Sequence, residues 1–396
     1  MTNARSTKAT LWFSSTLTVM AGATISPSVP LMQEVFSDLP NAALLVGLLL
    51  TLPGLFIALG SVVVGPIIDR RGRLRTLFIG LVIYAVAGTS GLYLDNIWLL
   101  LAGRGLLGVG VAMIMTVVVT LAGDYFEGAE QKSFVGIQGV FMAAGGVVFV
   151  LLGGFLADVG WRMPFAVYGA SILVLVVGFR TLKEPDRSQV QEGAAEGGGW
   201  TWVHRVLYLT AILSIIVFYT MPLQVPYLVK ELGITENKYG GIALALVMMG
   251  GAISGLFYKR LRMRFSAPTL LFFTMLFMGV GLVFTHYADT YLALLQALFV
   301  AGLAAGLLMP NLSNWILEMT APAIRGKAVG LMTSMIFLGQ FLSPFVSNPL
   351  KQAFGITAGL QIIGIASMLL SVLFIIFHKP LSTPVTPMQV AGQRQG

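Results

Sequence analysis

The chain has 396 residues, a mean hydropathy of +0.87 and 10% charged residues, where a soluble domain carries about 25%. A surface that apolar needs lipid around it, which excludes a soluble enzyme. With no cysteine and with His204, His286 and His378 far apart in sequence, neither a disulfide nor a metal centre can be argued.

A bilayer core of about 30 Å takes about 20 apolar residues of helix. In chain order the predicted spans fall near 10–36, 42–68, 75–94, 97–122, 132–157 and 162–182, then 203–230, 238–258, 267–287, 290–316, 326–350 and 355–378. Backbone groups in lipid must be satisfied within the segment, so these are helices. No signal-peptide cleavage site follows the first one. The expectation is an all-α membrane protein with twelve transmembrane helices.

The polar stretch Leu182–Trp200, rich in Gly, Glu and Gln, divides the spans six and six. It sets an N-terminal bundle at 1–182, a linker at 183–201 and a C-terminal bundle at 202–396. The bundles repeat one another. At an offset of 194, Gly108 matches Gly302, Met115 matches Met309 and Asp124 matches Glu318. "PLMQE" at Pro30 parallels "PYLVKE" at Pro226, at an offset of 196. Two such pseudo-symmetric halves around a site at the bilayer midplane are a transporter architecture.

Basic residues orient the bundle. Of 24 Lys and Arg, nineteen fall on the side of the termini and Arg162, Lys230, Lys238 and Lys351 on the other; Arg104 lies within a span. By the positive-inside rule both termini are cytoplasmic. The net charge of +8 is therefore topological, and nucleic acid is not an expected partner.

The densest basic stretch, "GPIIDRRGRLR" (Gly65–Arg75), closes span 2. It resembles the cytoplasmic loop 2–3 motif of the major facilitator superfamily, roughly G-x-L-A-D-R-x-G-R-K-x-L. Gly65, Asp69, Arg70, Gly72 and Arg73 match, and Leu74 stands where a basic residue is usual. The resemblance covers essentially the whole chain and implies a monomeric secondary transporter of the inner membrane, with no cofactor. Asp69 can face the positive N-terminal end of span 11, and Arg70 and Arg73 can bridge to Asp124. Together they are expected to form a latch that holds the cytoplasmic side closed.

Span 4 carries Arg104, an ionisable group inside the membrane and so a functional candidate. Arg104 and Gly108 match the R-x-x-Q-G motif of efflux members, with Leu107 in place of Gln, and the resemblance implies a role in proton coupling. The alternative is an arginine that snorkels to the outer surface. Glu34 is the candidate partner, unless it is simply exposed at the outer end of span 1. In span 5, Gly145, Gly153 and Gly154 fit the glycine row of drug antiporters, but Phe149 and Val150 replace its Gly-Pro; Gly339, Ser343 and Pro344 echo the row in span 11.

The candidate cavity residues are Gln138, Met142, Tyr219, Gln224, Asn311, Asn314, Met332 and Gln340. An apolar cavity with few charges fits lipophilic, weakly polar solutes. The favoured function is export of drug-like compounds or metabolites by alternating access, with proton antiport as the coupling. An uncoupled facilitator or importer is the alternative, and a non-transporting sensor on the same scaffold is the third reading.

Overall fold

The computed structural model describes residues 4–185, 200–321 and 324–377. Thirteen α-helices follow in chain order among these residues. They are α1 (Ala4–Ala23), α2 (Val29–Val35), α3 (Ala42–Arg71), α4 (Arg73–Gly88), α5 (Ile97–Tyr125), α6 (Gly128–Val159) and α7 (Ala170–Thr181), then α8 (Trp202–Glu231), α9 (Lys238–Arg264), α10 (Ala267–Phe284), α11 (Tyr291–Met319), α12 (Arg325–Phe354) and α13 (Ile356–Ile376). The linker expected at 183–201 falls mainly outside the described residues. We call the end of the bundle where α1 begins and α13 ends the terminal face, and the opposite end the far face.

Eleven helical segments among the described residues are long and apolar enough to cross a membrane. The first predicted span is the exception, and its composition is the reason. It runs as α1, a 3-10 turn (Ser26–Ser28) and α2, and it buries Thr7, Thr10, Ser14, Ser15, Thr16, Thr24, Ser26 and Ser28. Most of these hydroxyls bond their own helix: Ser14 donates to Thr10 O at 2.8 Å, Ser15 to Leu11 O at 2.9 Å and Thr24 to Met20 O at 3.0 Å. Back-bonding of this kind lets a polar helix sit in an apolar bundle.

The stretch expected to be a loop after span 2 is almost wholly helical. Gly72 alone separates α3 from α4, at φ 93°, a region where a side chain would be strained. Likewise α9 continues to Arg264 and carries Lys259, Arg260, Arg262 and Arg264 on helix.

Burial is split between two apolar cores. One belongs to α1–α7, with Leu223 as its visitor from the other half; the second belongs to α8–α13, with Ala23 and Val150 as visitors. The halves meet where α3 packs on α12 and where α6 packs on α9. Glycines show how close these approaches are. A Cβ added at Gly54 would sit 2.8 Å from Phe337 O, and one at Gly154 would sit 3.1 Å from the Cα atoms of Gly241 and Lys238. Towards the terminal face the same helices part. A Cβ at Gly65, Gly136, Gly139, Gly326 or Gly330 would meet nothing within 4 Å.

Candidate functional site

The far face is closed by contacts between equivalent positions of the two halves. At the repeat offset of 196 residues, Ser26 corresponds to Pro222 and Glu34 to Lys230. Both pairs touch: Ser26 Oγ donates to Pro222 O, and Lys230 Nζ lies 2.9 Å from Glu34 Oε1. Tyr227 Oη donates to Gln33 Oε1 between them. A pseudo-two-fold axis therefore passes between α2 and the far end of α8.

Two further seams flank it. Asp158, at the end of α6, accepts from the backbone N–H of Asn237 at 2.5 Å and of Lys238 at 3.4 Å, so its carboxylate sits on the N-terminus of α9. That is favourable placement for an anion. On the other side Asn348 Nδ2 donates to Ala43 O at 3.0 Å. Toward mid-depth Ser334 Oγ donates to Ala58 O at 3.2 Å. The molecule is thus closed on the far face and parted on the terminal face.

Arg104 is fully buried on α5. Its surroundings explain it without a carboxylate. Pro53 has no N–H, so the carbonyl four residues earlier in α3, Leu49 O, loses its helical donor. Arg104 Nε supplies one at 2.6 Å. Span 1 breaks after Ala23, and Ala21 O accepts from Arg104 Nη2 and from Tyr168 Oη at 3.0 Å. The guanidinium also lies over the Tyr168 ring, 5.2 Å from its centroid. Arg104 therefore staples two interrupted helices to α5, and Nη1 is left without a partner. It does not snorkel, and Glu34 is not its partner in this structure. Glu34 pairs with Lys230 instead, because it projects from the far end of span 1 toward α8.

The same repair recurs at other prolines. Pro226 leaves Pro222 O without a donor, and Ser26 supplies one from across the interface. Pro344 does this to Gln340 O, and Ser343 donates to it at 2.7 Å.

Three of the expected cavity residues gather on the seam between the halves. A Cβ on Gly22 of α1 would lie 3.4 Å from Tyr219 Oη and 3.7 Å from Gln340 Nε2, so both polar ends face span 1. Gln224 Nε2 donates to Asn348 Oδ1 at 3.3 Å, while Gln224 Oε1 is buried and unpartnered. Gln138 Nε2 donates to Ser15 Oγ at 2.8 Å, and Met142 lies half-buried one turn further along α6.

The remaining three are placed elsewhere. Asn311 is buried and donates to Ala267 O at 2.9 Å, tying α11 to the start of α10. Asn314 is exposed and donates to Tyr258 Oη at 3.1 Å and to Pro310 O at 2.9 Å. Met332 is 2% exposed and belongs to the apolar core of the C-terminal half. Sequence reasoning judged these three by their depth in a span, which does not reveal which way a helix face turns.

Of the expected latch, Arg73 pairs with Asp124, at 3.2 Å from Nη2 to Oδ1. Both belong to the N-terminal half, and the pair stands while the terminal face is parted. It therefore does not depend on closure, contrary to the expectation. Arg70 is exposed, and the side chain of Asp69 lies outside the described residues. Glu184, which sequence reasoning missed, accepts the backbone N–H of Arg73 at 2.6 Å and of Leu74 at 2.8 Å and so caps α4. The pairing recurs in the other half, where Arg262 Nη2 lies 2.5 Å from Glu318 Oε2.

Two halves, α1–α7 and α8–α13, that join on one face, part on the other and hold a polar seam between them are a membrane-transporter architecture. The Major Facilitator Superfamily family model matches residues 11–221 and 206–394. The chain belongs to that superfamily. It is 22% identical over 329 residues to the quinolone resistance protein NorA of Staphylococcus aureus (strain COL), covering 81% of this chain and 84% of the relative. It is 23% identical over 334 residues to multidrug resistance protein 1 of Bacillus subtilis (strain 168), with the same coverage. Among solved structures, a D-xylose–proton symporter superposes with a TM-score of 0.78 at 17% identity, over 93% of this chain and 97% of its own. A bacterial homologue of the human lysosomal transporter Spinster, inward-facing and occupied, gives 0.74 at 19%, over 95% and 96%. At these identities the structural likeness shows the fold alone.

Proposed function

We propose that this transporter exports lipophilic, weakly polar compounds in exchange for protons, as a monomer in the inner membrane, with its terminal face in the cytoplasm. The observation that carries the reading is the chemistry of the seam. Tyr219, Gln224, Gln340 and Asn348 offer hydroxyl and amide groups to it. Every carboxylate of a transmembrane segment among the described residues stands within the first or last turn or two of its helix. Neutral donors and acceptors in an apolar wall suit a drug-like solute better than a polyanion. Two similar proteins bear names of drug resistance, which supports the same class. The excess of Lys and Arg on the terminal face supports the orientation, which makes the present state inward-facing.

Proton coupling in this reading falls to Glu34. Opening the far face must separate it from Lys230, so its charge neighbour changes once per cycle. The latch reading keeps Asp69, facing the N-terminus of α12 when the terminal face closes. Asp69→Asn is then expected to shift the population toward the present, terminal-open state. An unchanged population and unchanged transport would remove Asp69 from the latch.

The test is a fluorescent ΔpH reporter in everted vesicles energised by respiration, challenged with lipophilic cations, neutral antibiotics and small metabolites. Compound-dependent collapse of ΔpH, absent from vesicles lacking the protein and lost with Glu34→Gln, is the expected result. Gradient-independent uptake with no collapse would favour the second reading, an uncoupled facilitator. The lack of a carboxylate at mid-depth among the described residues is the observation that keeps it alive.

A further inference from the structure

The C-terminal half has a groove on its outer surface that takes no part in the seam. Helices α9 and α10 both pack on α11 but hardly on each other. Between them lies a cavity of about 510 Å³, floored by Val300, Leu303 and Leu307 of α11 and walled by Phe265, Phe273 and Phe277. The three rings form a ladder, with centroids 5.6 Å apart for Phe265 and Phe273 and 6.3 Å apart for Phe273 and Phe277. Ser254 and Thr274 also border the cavity, but their hydroxyls are spent on Gly251 O and Leu270 O. The wall therefore offers an occupant apolar contact and almost nothing polar.

The groove begins at the terminal face and stops at mid-depth. From Ala267, the start of α10, to Phe277 is about 15 Å of helix rise, half of the ~30 Å hydrocarbon core. That is the depth of one leaflet. Its mouth is basic. Arg262 sits there bonded to Glu318 and to Phe265 O at 3.1 Å. Arg260 and Arg264, one turn apart in the last turns of α9, are exposed, and neither pairs with a carboxylate among the described residues. Arg260 lies against the Phe257 ring, 5.9 Å from its centroid, on the turn of α9 that also carries the groove-lining Leu261.

We infer that this groove is a binding site for one anionic phospholipid of the terminal-face leaflet. Its acyl chain lies along the Phe265–Phe273–Phe277 ladder and its phosphate meets Arg260 and Arg264. Basic pockets between transmembrane helices select anionic headgroups in this way. The leaflet-long depth and the paired free arginines at one end argue for a lipid rather than a compound in transit, which would need a continuous path to the seam.

Delipidated protein in neutral detergent would be titrated with phosphatidylglycerol or phosphatidylcholine and read by native mass spectrometry. Phosphatidylglycerol should bind preferentially. Each arginine near the surface contributes about fivefold to anionic-lipid affinity, so Arg260→Gln with Arg264→Gln should weaken it about thirtyfold. Arg180→Gln, equally exposed on the terminal face of the other half, should leave it unchanged. A phosphatidylglycerol with a diazirine in its acyl chain should label the peptide carrying Phe273 and Phe277, and free glycerol phosphate should not displace it. Equal binding of the two lipids, wild-type affinity in the double variant, or label confined to other helices would overturn the assignment.

Discussion

The role found for Arg104 can be tested through the proline that creates it. Arg104→Met keeps the bulk and removes the donors. Hydrogen bonds to a charged group contribute about 1.5–3 kcal/mol each, so losing those to Leu49 O and Ala21 O costs roughly 3–6 kcal/mol. Removing a buried charge also returns a desolvation penalty of several kcal/mol. The single variant is therefore a difference of two similar terms, and its sign decides nothing. The coupling to Pro53 does. Pro53→Ala restores an N–H to Leu49 O. Beside Arg104 that donor is redundant; in the Arg104→Met variant it rescues a buried carbonyl whose orphaning costs about 1–3 kcal/mol. Pro53→Ala should therefore be more stabilising in the Arg104→Met background than in the wild type by about that amount, measured as unfolding free energies in mixed micelles. Additivity of the two changes to within about 0.5 kcal/mol would refute the stapling argument.

The far face allows a clean accessibility test, because the chain has no cysteine and a single one can be introduced. Glu34→Lys should raise far-side labelling of a Ser28→Cys reporter, and adding Lys230→Glu should bring it back toward wild type; a swap that restores nothing would show that the pair does not hold the gate. Asp158→Asn should weaken the α6–α9 seam by about 0.3–1 kcal/mol, the worth of an exposed anion at a helix N-terminus, and raise labelling less than Glu34→Lys does. Gly65→Ala meets no other helix in this state, and because Pro66 follows it, where an added Cβ crowds the proline ring, stability should change little. If another helix approaches there when the terminal face closes, the same change should slow transport; unaffected transport in vesicles would show that no close approach occurs. Gly153→Ala should destabilise strongly, because its Cβ would run into the carbonyl of Thr24 at the break in span 1.

Hydropathy made the spans legible because each half repeats long uncharged runs bounded by basic clusters. Its signal is weakest at α1, where hydroxyls lower the score yet are satisfied by their own backbone. It also turned the end of span 2 into a loop, because a run of arginines looks like solvent; the helix persists to Arg71 and only Gly72 breaks it. The repeat offset did place Glu34 and Lys230 at equivalent positions, but equivalence does not say that the two meet. That requires knowing that span 1 and span 7 converge on the axis at the far face. The partners of Arg104 were also accessible, since a proline at 53 announces a free carbonyl at 49. The buried partners of an arginine can be backbone carbonyls as well as carboxylates. Asn348 and Asp158 were passed over because polar residues near helix ends resemble ordinary boundary residues, and Glu184 because it lies in a polar linker. Asn311 and Met332 mark the opposite failure, since depth alone cannot separate a cavity face from a core face.

The distribution of contacts also explains how one chain can hold two states. Within each half, adhesion comes from a dry apolar core, and the buried staple at Arg104 joins helices of the same half. Between the halves on the far face, the packing of α3 on α12 and of α6 on α9 is joined by a handful of polar contacts, several at exposed side chains such as Glu34, 67% exposed, and Asp158. An exposed ion pair contributes about 0–1 kcal/mol, because water recovers most of what the pair loses on parting. Breaking such contacts costs little, whereas opening a half would expose its core. The halves should therefore move as rigid bodies about the α3–α12 and α6–α9 seams, with their internal ion pairs intact. Arg73–Asp124 and Arg262–Glu318 fit that expectation, since both are made in a state whose terminal face is parted. A cysteine pair bridging Arg73 and Asp124 should then leave transport unimpaired, while one bridging Glu34 and Lys230 should arrest it until reduced. Arrest by the first cross-link would mean that the terminal-face pair breaks in each cycle, and the halves could not be rigid.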